Sequence, residues 1–396
     1  MFKISHYIGG IFLVSGTAIG AGMLALPAST AIMGFVPSLV LFAVCWLCML
    51  ATAFFFLDVN LAIKGKPNLI SMAHHTLGFW GQALSWVVYL LLLYSLIAAY
   101  ISGSGPIFIA AIQYVTGIAV PEAVGFFMLP VLFGGIVYFG IEGVDLINRV
   151  LIAGLIITYI LLIGYLPEYV EGSKLAYMDW KPIIIGLPLA VTAFGYHVII
   201  PSLSTYVNHD RKKLKRILII GSVIPLIFYV IWQTLVMGIV STEGLLAALK
   251  AGDPATKPLS QQVANVWVSK GAQFFTFFAI TTSFLGLAVS LSDFLRDGLN
   301  IRKGKRGKLY ALLLTFVPPM VFVLTYQRGF IVALEYAGAF VAILLWFLPA
   351  VMAWKLKAPK FYKTKLAKAL MLLIIIMSIG IVAIDIAHQM GWHVQA

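Results

Sequence analysis

Two short glycine-containing stretches interrupt long apolar segments at matching places in the two halves of the chain. They are residues 16–22 (Gly-Thr-Ala-Ile-Gly-Ala-Gly) and 194–197 (Phe-Gly-Tyr-His). In hydrocarbon, an interrupted helix leaves backbone N–H and C=O groups without partners, which is tolerated only where those groups line a cavity or bind something. The sequence therefore predicts a binding site built from main-chain groups at these two breaks.

The two breaks together offer groups of both polarities. Free N–H groups at 20–22 would begin a half-helix, whose dipole favours an anion such as a carboxylate. Free carbonyls near Thr17, Ala18 and Phe194 would accept from an ammonium group or hold a cation. This combination suits a zwitterion, and the main-chain part of the predicted site is Gly16, Thr17, Ala18, Ile19, Gly20, Ala21, Gly22, Phe194, Gly195, Tyr196 and His197.

Helix packing is the alternative explanation of the first break. Gly16 and Gly20 have the four-residue spacing of small residues that let two membrane helices approach closely. Pro27 and the matched break in the second half favour the binding site over packing alone.

Side chains of three kinds complete the predicted site. Aromatic rings could surround a flat substrate, and they are Tyr94, Tyr100, Phe194, Tyr196 and Phe284. Two ionisable groups lie at depth, His197 and Glu335, and such groups in membranes indicate function by default. A hydrogen-bonded structural imidazole and a vestibule carboxylate are their alternatives. Thr282 and Ser283 offer hydroxyl oxygens that suit a hard cation, so the candidates for ion coupling are Glu335, His197, Thr282 and Ser283.

The composition identifies the solvent. Of the 396 residues 62% are hydrophobic and 10% charged, with a mean hydropathy of +1.01, whereas soluble domains carry about 25% charged residues. The chain is therefore predicted to be an all-α polytopic membrane protein. Eleven apolar segments are long enough to cross a bilayer, at 8–31, 35–57, 83–112, 124–141, 150–166, 182–206, 217–240, 271–292, 309–326, 331–354 and 367–388.

Cationic residues fall mainly on one side of these segments. If the N-terminus is cytoplasmic, 21 of the 27 Lys and Arg lie in inner loops, and the outer side keeps Lys174, Lys181, Lys250, Lys257, Lys270 and Arg328. The positive-inside rule then predicts a cytoplasmic N-terminus and an outer C-terminus. The net charge of +13 consequently needs no nucleic-acid partner.

The order of the segments indicates an internal repeat within one membrane domain, 1–396. Segments one to five (8–166) and six to ten (182–354) each open with a broken helix. Because each half has an odd number of crossings, the second half is predicted to be inverted relative to the first. This is the five-plus-five inverted repeat of a LeuT-type secondary transporter, with a site near the midplane. Segment eleven (367–388) is an addition.

Loops and cysteines add smaller predictions. Residues 71–77 are expected to form a short interfacial helix, and 242–249 a capped helix closed by Gly252, which either covers the entrance or only shields the bundle. Cys45 and Cys48 lie in an apolar helix without further ligands, so we interpret them as packing residues. No metal site, cofactor or enzymatic nucleophile–base cluster is expected.

Six motifs distributed over the chain resemble those of the bacterial hydroxy and aromatic amino acid permeases. They occupy 15–27, 98–105, 194–197 with Pro201 and Ser202, 282–286, 328–330 and 336–338. Within that family the chain is most similar to tyrosine-specific members, with tryptophan permeases next. The resemblance implies a multi-pass inner-membrane importer that couples uptake of an aromatic amino acid, expected to be tyrosine, to an ion gradient.

The chain departs from the family pattern at two positions that bear on coupling. It has Leu155 where similar permeases carry a lysine in segment five, and Glu335 where they carry glycine. A proton is the expected coupling ion and sodium the alternative. A permease for tryptophan or for serine and threonine remains open, because a preference for one methylene or hydroxyl depends on pocket geometry. A non-transporting amino acid sensor is the alternative of another class, but no soluble output domain is visible.

Overall fold

Helices account for nearly all of the described chain, as the composition predicts. The computed structural model describes residues 6–65, 67–139, 141–263, 265–302, 304–326, 329–356, 362 and 364–389. Within these ranges no strand forms, and one isolated β-bridge pairs Gly34 with Met178. Most of the described backbone thus satisfies its hydrogen bonds inside helices, as a bilayer requires. Several cations behind the topology prediction lie outside the described residues, namely Lys3, Lys66, Lys303, Arg328, Lys357, Lys360 and Lys363.

Sixteen α-helices are found in the described ranges. They are α1 (His6–Ala18), α2 (Leu26–Thr30), α3 (Phe35–Ala62), α4 (Leu69–Thr116), α5 (Glu122–Phe139), α6 (Ile141–Tyr165), α7 (Leu187–Ala193), α8 (Ile200–Tyr206), α9 (Arg211–Ile239), α10 (Thr242–Ala251), α11 (Thr256–Gln262), α12 (Val266–Gly298), α13 (Lys305–Thr325), α14 (Gly329–Val341), α15 (Leu348–Lys355) and α16 (Lys365–Gln389). A π-helical turn, Ala342–Phe347, joins α14 to α15.

Nine helical segments of the described chain are long and apolar enough to cross a membrane. The protein is therefore a multi-pass membrane protein. The two other predicted crossings, 8–31 and 124–141, coincide with the broken stretch from α1 to α2 and with the shorter α5. Eleven crossings and the two inverted repeats, 8–166 and 182–354, stay predictions.

The short helix predicted at 71–77 is confirmed as the start of α4. Asn68 caps it, because its side chain accepts from the Ser71 N–H at 2.9 Å while the Ser71 hydroxyl accepts from the Asn68 N–H at 2.8 Å. This reciprocal pair satisfies two donors that a helix start leaves free. Gly78 then departs from helical geometry at φ 74° and ψ −159°, so α4 consists of two helices that meet at a kink.

The capped helix predicted at 242–249 is confirmed as α10. The Ser241 hydroxyl accepts from the Gly244 N–H at 3.1 Å, and Gly252 ends the helix with a left-handed φ of 73°. This helix packs against α2. Just beyond it, the Ala255 N–H donates to the Leu24 carbonyl at 2.9 Å. Helix α10 and the residues that follow it therefore lie against the first broken helix. A helix that covers the entrance would have to lie there.

A charged network ties together the C-terminal end of α3, the start of α9 and the segment before α16. Arg211 donates two hydrogen bonds to Asp58, at 2.6 and 2.8 Å, and the Tyr362 hydroxyl donates to the same carboxylate. Two-point guanidinium–carboxylate pairing fixes geometry as well as charge. Burial, and then the bond to Asp58, raises the pKa of the Tyr362 phenol, so this hydroxyl keeps its proton and donates at neutral pH.

Close backbone packing brings α14 against α7, the helix that leads into the second break. At Gly338 an added Cβ would overlap the carbonyl of Pro188. Glycine is required at this position because the Pro188 carbonyl belongs to the main chain and, unlike the end of a long side chain, cannot move away from an added Cβ atom.

Gly338→Ala should therefore force α14 away from α7 and lower the thermal unfolding midpoint of the purified protein, at an overpacking cost of about 1–3 kcal/mol. Gly164→Ala is the matched control, because an added methyl there would meet nothing within 4 Å. Equal midpoints for the two variants would contradict the close α7–α14 contact.

Candidate substrate site

The first break lies where residues 16–22 predict it. Helix α1 ends at Ala18, Gly20 is extended at φ −150° and ψ −167°, and a 3₁₀ turn follows at Ala21–Leu24. Within the described chain, the N–H groups of Gly20, Ala21 and Gly22 donate to no backbone carbonyl. Three neighbouring amides are thus available to an anion, as the sequence predicts.

The second break follows α7. The chain leaves the helix at Phe194, and Tyr196 adopts φ −142° and ψ 4° before a 3₁₀ turn, His197–Ile199, leads into α8. The Gly195 N–H reaches back to the Thr192 carbonyl at 3.2 Å. The interruption therefore spans the predicted Phe-Gly-Tyr-His stretch.

The two breaks lie against each other. A Cβ added to Gly22 would be 3.6 Å from the Cα atom of Ala193. The hydroxyl of Tyr229, on α9, is 2.7 Å from the Ala18 carbonyl and 2.8 Å from the Ala193 carbonyl. The last carbonyls of α1 and α7 thus converge on one oxygen atom. This contact joins the two breaks.

Three of the predicted aromatic residues lie at or beside this junction. Phe194 is buried between Phe42, at a ring-centroid distance of 6.2 Å, and Tyr229, at 5.1 Å. Tyr196 is also buried, and its hydroxyl approaches the Ser222 hydroxyl on α9 closely enough for the two to interact. Buried Tyr100 approaches Ser283 closely enough for their hydroxyls to interact.

Ser283 connects Tyr100 to the first break. Its hydroxyl oxygen is 3.2 Å from the place a Cβ would take on Gly20, and its helix, α12, packs on the 3₁₀ turn of the first break. The neighbouring Thr282 instead donates to carbonyls of its own helix, Phe278 at 2.8 Å and Ala279 at 3.2 Å. Of the hydroxyl pair, Ser283 is the member that faces the break.

Two other predicted aromatic residues contact α13. The Tyr94 hydroxyl donates to the Leu314 carbonyl at 2.9 Å, and the Phe284 ring stacks on Phe316 at 5.6 Å. In the described chain no ring contact or hydrogen bond joins either residue to a break. Their role in binding substrate stays a prediction without support from these contacts.

His197 is fully buried and hydrogen-bonded to α3. Its Nε2 is 3.0 Å from the Thr52 hydroxyl oxygen. That hydroxyl also lies 3.0 and 3.1 Å from the carbonyls of Cys48 and Met49, which take its proton, so Thr52 accepts from Nε2–H. Complete burial disfavours the charged form, so the imidazole is neutral and its Nδ1 is an acceptor without a partner in the described chain.

Glu335 is half-buried on α14, the helix that packs against α7. The neighbouring Tyr336 lies within electrostatic reach of Glu335 and of Asp385 on α16. Two carboxyl groups therefore lie near one phenol. Among the described residues no group of His, Cys, Asp and Glu side chains could hold a metal ion.

A cavity of about 240 Å³ lies elsewhere, between α5, α12 and α13. Its lining includes Asp293, Arg296 and Lys308 and none of the predicted site residues. It is therefore separate from the site at the breaks.

The contributions of α9 and α3 were not predicted from the sequence. Tyr229 and Gln233 are four residues apart, which places them on one face of α9. The Gln233 amide donates to Thr30 at 2.7 Å and Ser38 at 3.1 Å. A tyrosine and a glutamine at this spacing in an apolar segment were a usable signal. No comparable signal marked Thr52, because hydroxyl groups in membrane helices usually donate to carbonyls of their own helix.

Comparison with known proteins identifies relatives over the whole chain. A profile of the tryptophan/tyrosine permease family matches residues 3–387. Tyrosine-specific transport system 1 of Haemophilus influenzae is 32% identical, covering 97% of this chain and 98% of that protein. A tryptophan-specific transport protein of Pseudomonas aeruginosa is 30% identical, covering 87% and 85%. These relatives are transport proteins and not enzymes.

Thr52→Val tests the histidine contact. Valine keeps the shape but leaves the buried Nε2–H of His197 unpaired, which should cost about 1–3 kcal/mol of stability and lower the unfolding midpoint. Thr158→Val is the control, because the Thr158 hydroxyl donates to carbonyls of its own helix, Gly154 and Leu155. If Thr52→Val and Thr158→Val lower the unfolding midpoint by the same small amount, the position of His197 does not depend on Thr52.

Proposed function

The chain belongs to the tryptophan/tyrosine permease family, and from this membership we propose that it imports an aromatic amino acid, tyrosine, by ion-coupled alternating access. The bacterial inner membrane is its proposed location, with the N-terminus in the cytoplasm. The names of the tyrosine- and tryptophan-specific relatives support the substrate class.

The observation that carries the proposal is the meeting of the two breaks. Free amides at Gly20, Ala21 and Gly22 lie next to the converging carbonyls of Ala18 and Ala193. An α-amino acid carries a carboxylate and an ammonium group on one carbon atom. The breaks place donors for the carboxylate within a few ångströms of acceptors for the ammonium group. This arrangement matches any α-amino acid, whatever its side chain.

Aromatic neighbours support a flat side chain in the substrate. Phe194, Tyr196 and Tyr100 are buried beside the breaks, and rings favour edge and offset contacts with another ring. The partnerless acceptor Nδ1 of His197 and the hydroxyl of Tyr196, beside that of Ser222, supply polar groups for a phenol. Together they favour tyrosine over phenylalanine.

Alternating access needs a closure on each side of the site. On the proposed outer side, α10 packs on α2 and the Ala255 N–H binds the Leu24 carbonyl. On the proposed inner side, Asp58, Arg211 and Tyr362 join three parts of the chain. In a LeuT-type five-plus-five arrangement the two halves would rock about the breaks, and these contacts would open in turn.

Uptake by purified protein in proteoliposomes is the direct test, with labelled tyrosine, tryptophan, phenylalanine and serine supplied under separate proton and sodium gradients. We expect tyrosine to enter fastest, driven by the proton gradient. Faster uptake of tryptophan would reassign the substrate within the family. Uptake of serine alone, or binding without uptake, would contradict the proposal.

Gly20→Leu should abolish tyrosine binding while the protein still accumulates in the membrane. A leucine side chain would fill the space between the first break and the Ser283 hydroxyl, which is already 3.2 Å from the place that a Cβ atom would take. Gly164→Leu is the control of equal size on an exposed helix face. Wild-type tyrosine affinity in Gly20→Leu would refute a site at the first break.

Glu335→Gln should uncouple tyrosine uptake from a pH gradient, because glutamine keeps the size of the side chain but cannot carry a proton. Exchange of external for internal tyrosine should continue at the wild-type rate, since exchange needs no net proton movement. Asp385→Asn is the comparison for the nearby carboxyl group on α16. Uptake by Glu335→Gln that still follows the pH gradient would remove Glu335 from coupling and leave Ser283 and Thr282 as the sodium alternative.

A further inference from the structure

Tyr229 is the one side chain shown to bond to both breaks in the described chain. It is fully buried on α9, and its hydroxyl oxygen is within hydrogen-bond distance of the Ala18 carbonyl and the Ala193 carbonyl. Each of these carbonyls ends a half-helix. The hydroxyl therefore links the ends of the two broken helices directly.

The junction of the two breaks has more hydrogen-bond acceptor sites than donor protons. A phenol hydroxyl has one proton, whereas each carbonyl oxygen has two lone pairs. Both carbonyls also lie at the negative ends of their half-helices. Ala18 and Ala193 consequently keep unused acceptor capacity next to each other, in a buried place where such capacity is costly.

The ring of Tyr229 is held in place, so its hydroxyl fixes the carbonyl positions. Phe194 packs edge-on against it at 5.1 Å, and its hydroxyl contacts of 2.7 and 2.8 Å keep the two carbonyl oxygens within about 5.5 Å of each other. Two acceptors closer together than this upper limit can both be reached by one ammonium group, because two tetrahedrally divergent N–H donors with contacts of about 2.8 Å reach acceptors about 4.6 Å apart.

We propose that Tyr229 sets the spacing of the Ala18 and Ala193 carbonyls so that together they bind the α-ammonium group of the substrate. It is a positioning residue that makes the site selective for molecules with a free α-ammonium group. This inference rests on the proposed function, and it concerns the amino group shared by all α-amino acids and not the aromatic side chain.

The test compares tyrosine with its des-amino analogue, 3-(4-hydroxyphenyl)propanoate, which keeps the carboxylate and phenol. Dissociation constants of both are measured for wild type and Tyr229→Phe in lipid nanodiscs. Without the hydroxyl the two carbonyls repel each other and separate. We expect the preference for tyrosine over the analogue to fall about tenfold, through weaker tyrosine binding and unchanged analogue binding.

Tyr159→Phe is the matched control. Tyr159 is also buried and lies within electrostatic reach of Tyr229, but its hydroxyl donates to the backbone carbonyl of Phe228 at 3.2 Å and, among the described residues, to no group of either break. The preference of Tyr159→Phe for tyrosine over the des-amino analogue should equal that of the wild type. If Tyr229→Phe does not reach the membrane, Tyr229→Met is used, and the same fall in the ratio is expected.

Two outcomes overturn the assignment. Equal weakening of both ligands by Tyr229→Phe would make Tyr229 only a structural link, and an unchanged or raised ratio would mean that the carbonyls do not need it. A wrong substrate assignment can be distinguished from a wrong role for Tyr229. If the wild type binds a different amino acid better than tyrosine, the ratio is measured with that amino acid and its own des-amino analogue. If it binds no amino acid, both proposals fall.

Discussion

Hydrocarbon offers no hydrogen bonds, so every main-chain group at a helix break must find its partner inside the protein or on a ligand. The two breaks of this chain meet that demand only in part. Tyr229 supplies one proton to the carbonyls of Ala18 and Ala193, while the amides of Gly20, Ala21 and Gly22 have no backbone acceptor in the described chain. An amino acid carries the groups that these positions lack.

The surrounding packing keeps that unsatisfied geometry from collapsing. Glycine at 338 lets α14 approach the backbone of α7, and the bond that His197 donates to Thr52 holds this histidine at the start of the second half-helix. The contacts of Ala255 with Leu24 and of Arg211 with Asp58 then lie on either side of the breaks. The contacts at Gly338, Thr52 and Ala255 each constrain a broken helix from outside.

Local sequence signals predicted the positions of the two helix breaks well. Glycine and proline interrupt a helix through their own conformational properties, so the breaks, the capped helix α10 and the short helix before Gly78 could be located without tertiary information. The apolar composition likewise predicted a multi-pass membrane protein. The number of crossings is harder to fix, because the first broken helix and α5 fall below the length of a typical span.

The side-chain part of the site was less predictable, because an aromatic residue on a helix can face either of two neighbours. Tyr94 and Phe284 were predicted to touch the side chain of the substrate, which stays a prediction, and their contacts in the described chain are with Leu314 and Phe316 of α13. Tyr229 was missed for the converse reason. Its segment has no break of its own, and only the fold brings its hydroxyl to the ends of two helices that are distant in sequence.

A structure of the protein with bound tyrosine, determined by electron cryomicroscopy in nanodiscs, tests the central claim most directly. We expect ligand density at the junction of the breaks, with the carboxylate at the amides of Gly20, Ala21 and Gly22 and the ammonium group at the carbonyls of Ala18 and Ala193. Tyrosine density in the cavity between α5, α12 and α13, with the junction unchanged and empty of ligand, would contradict that claim.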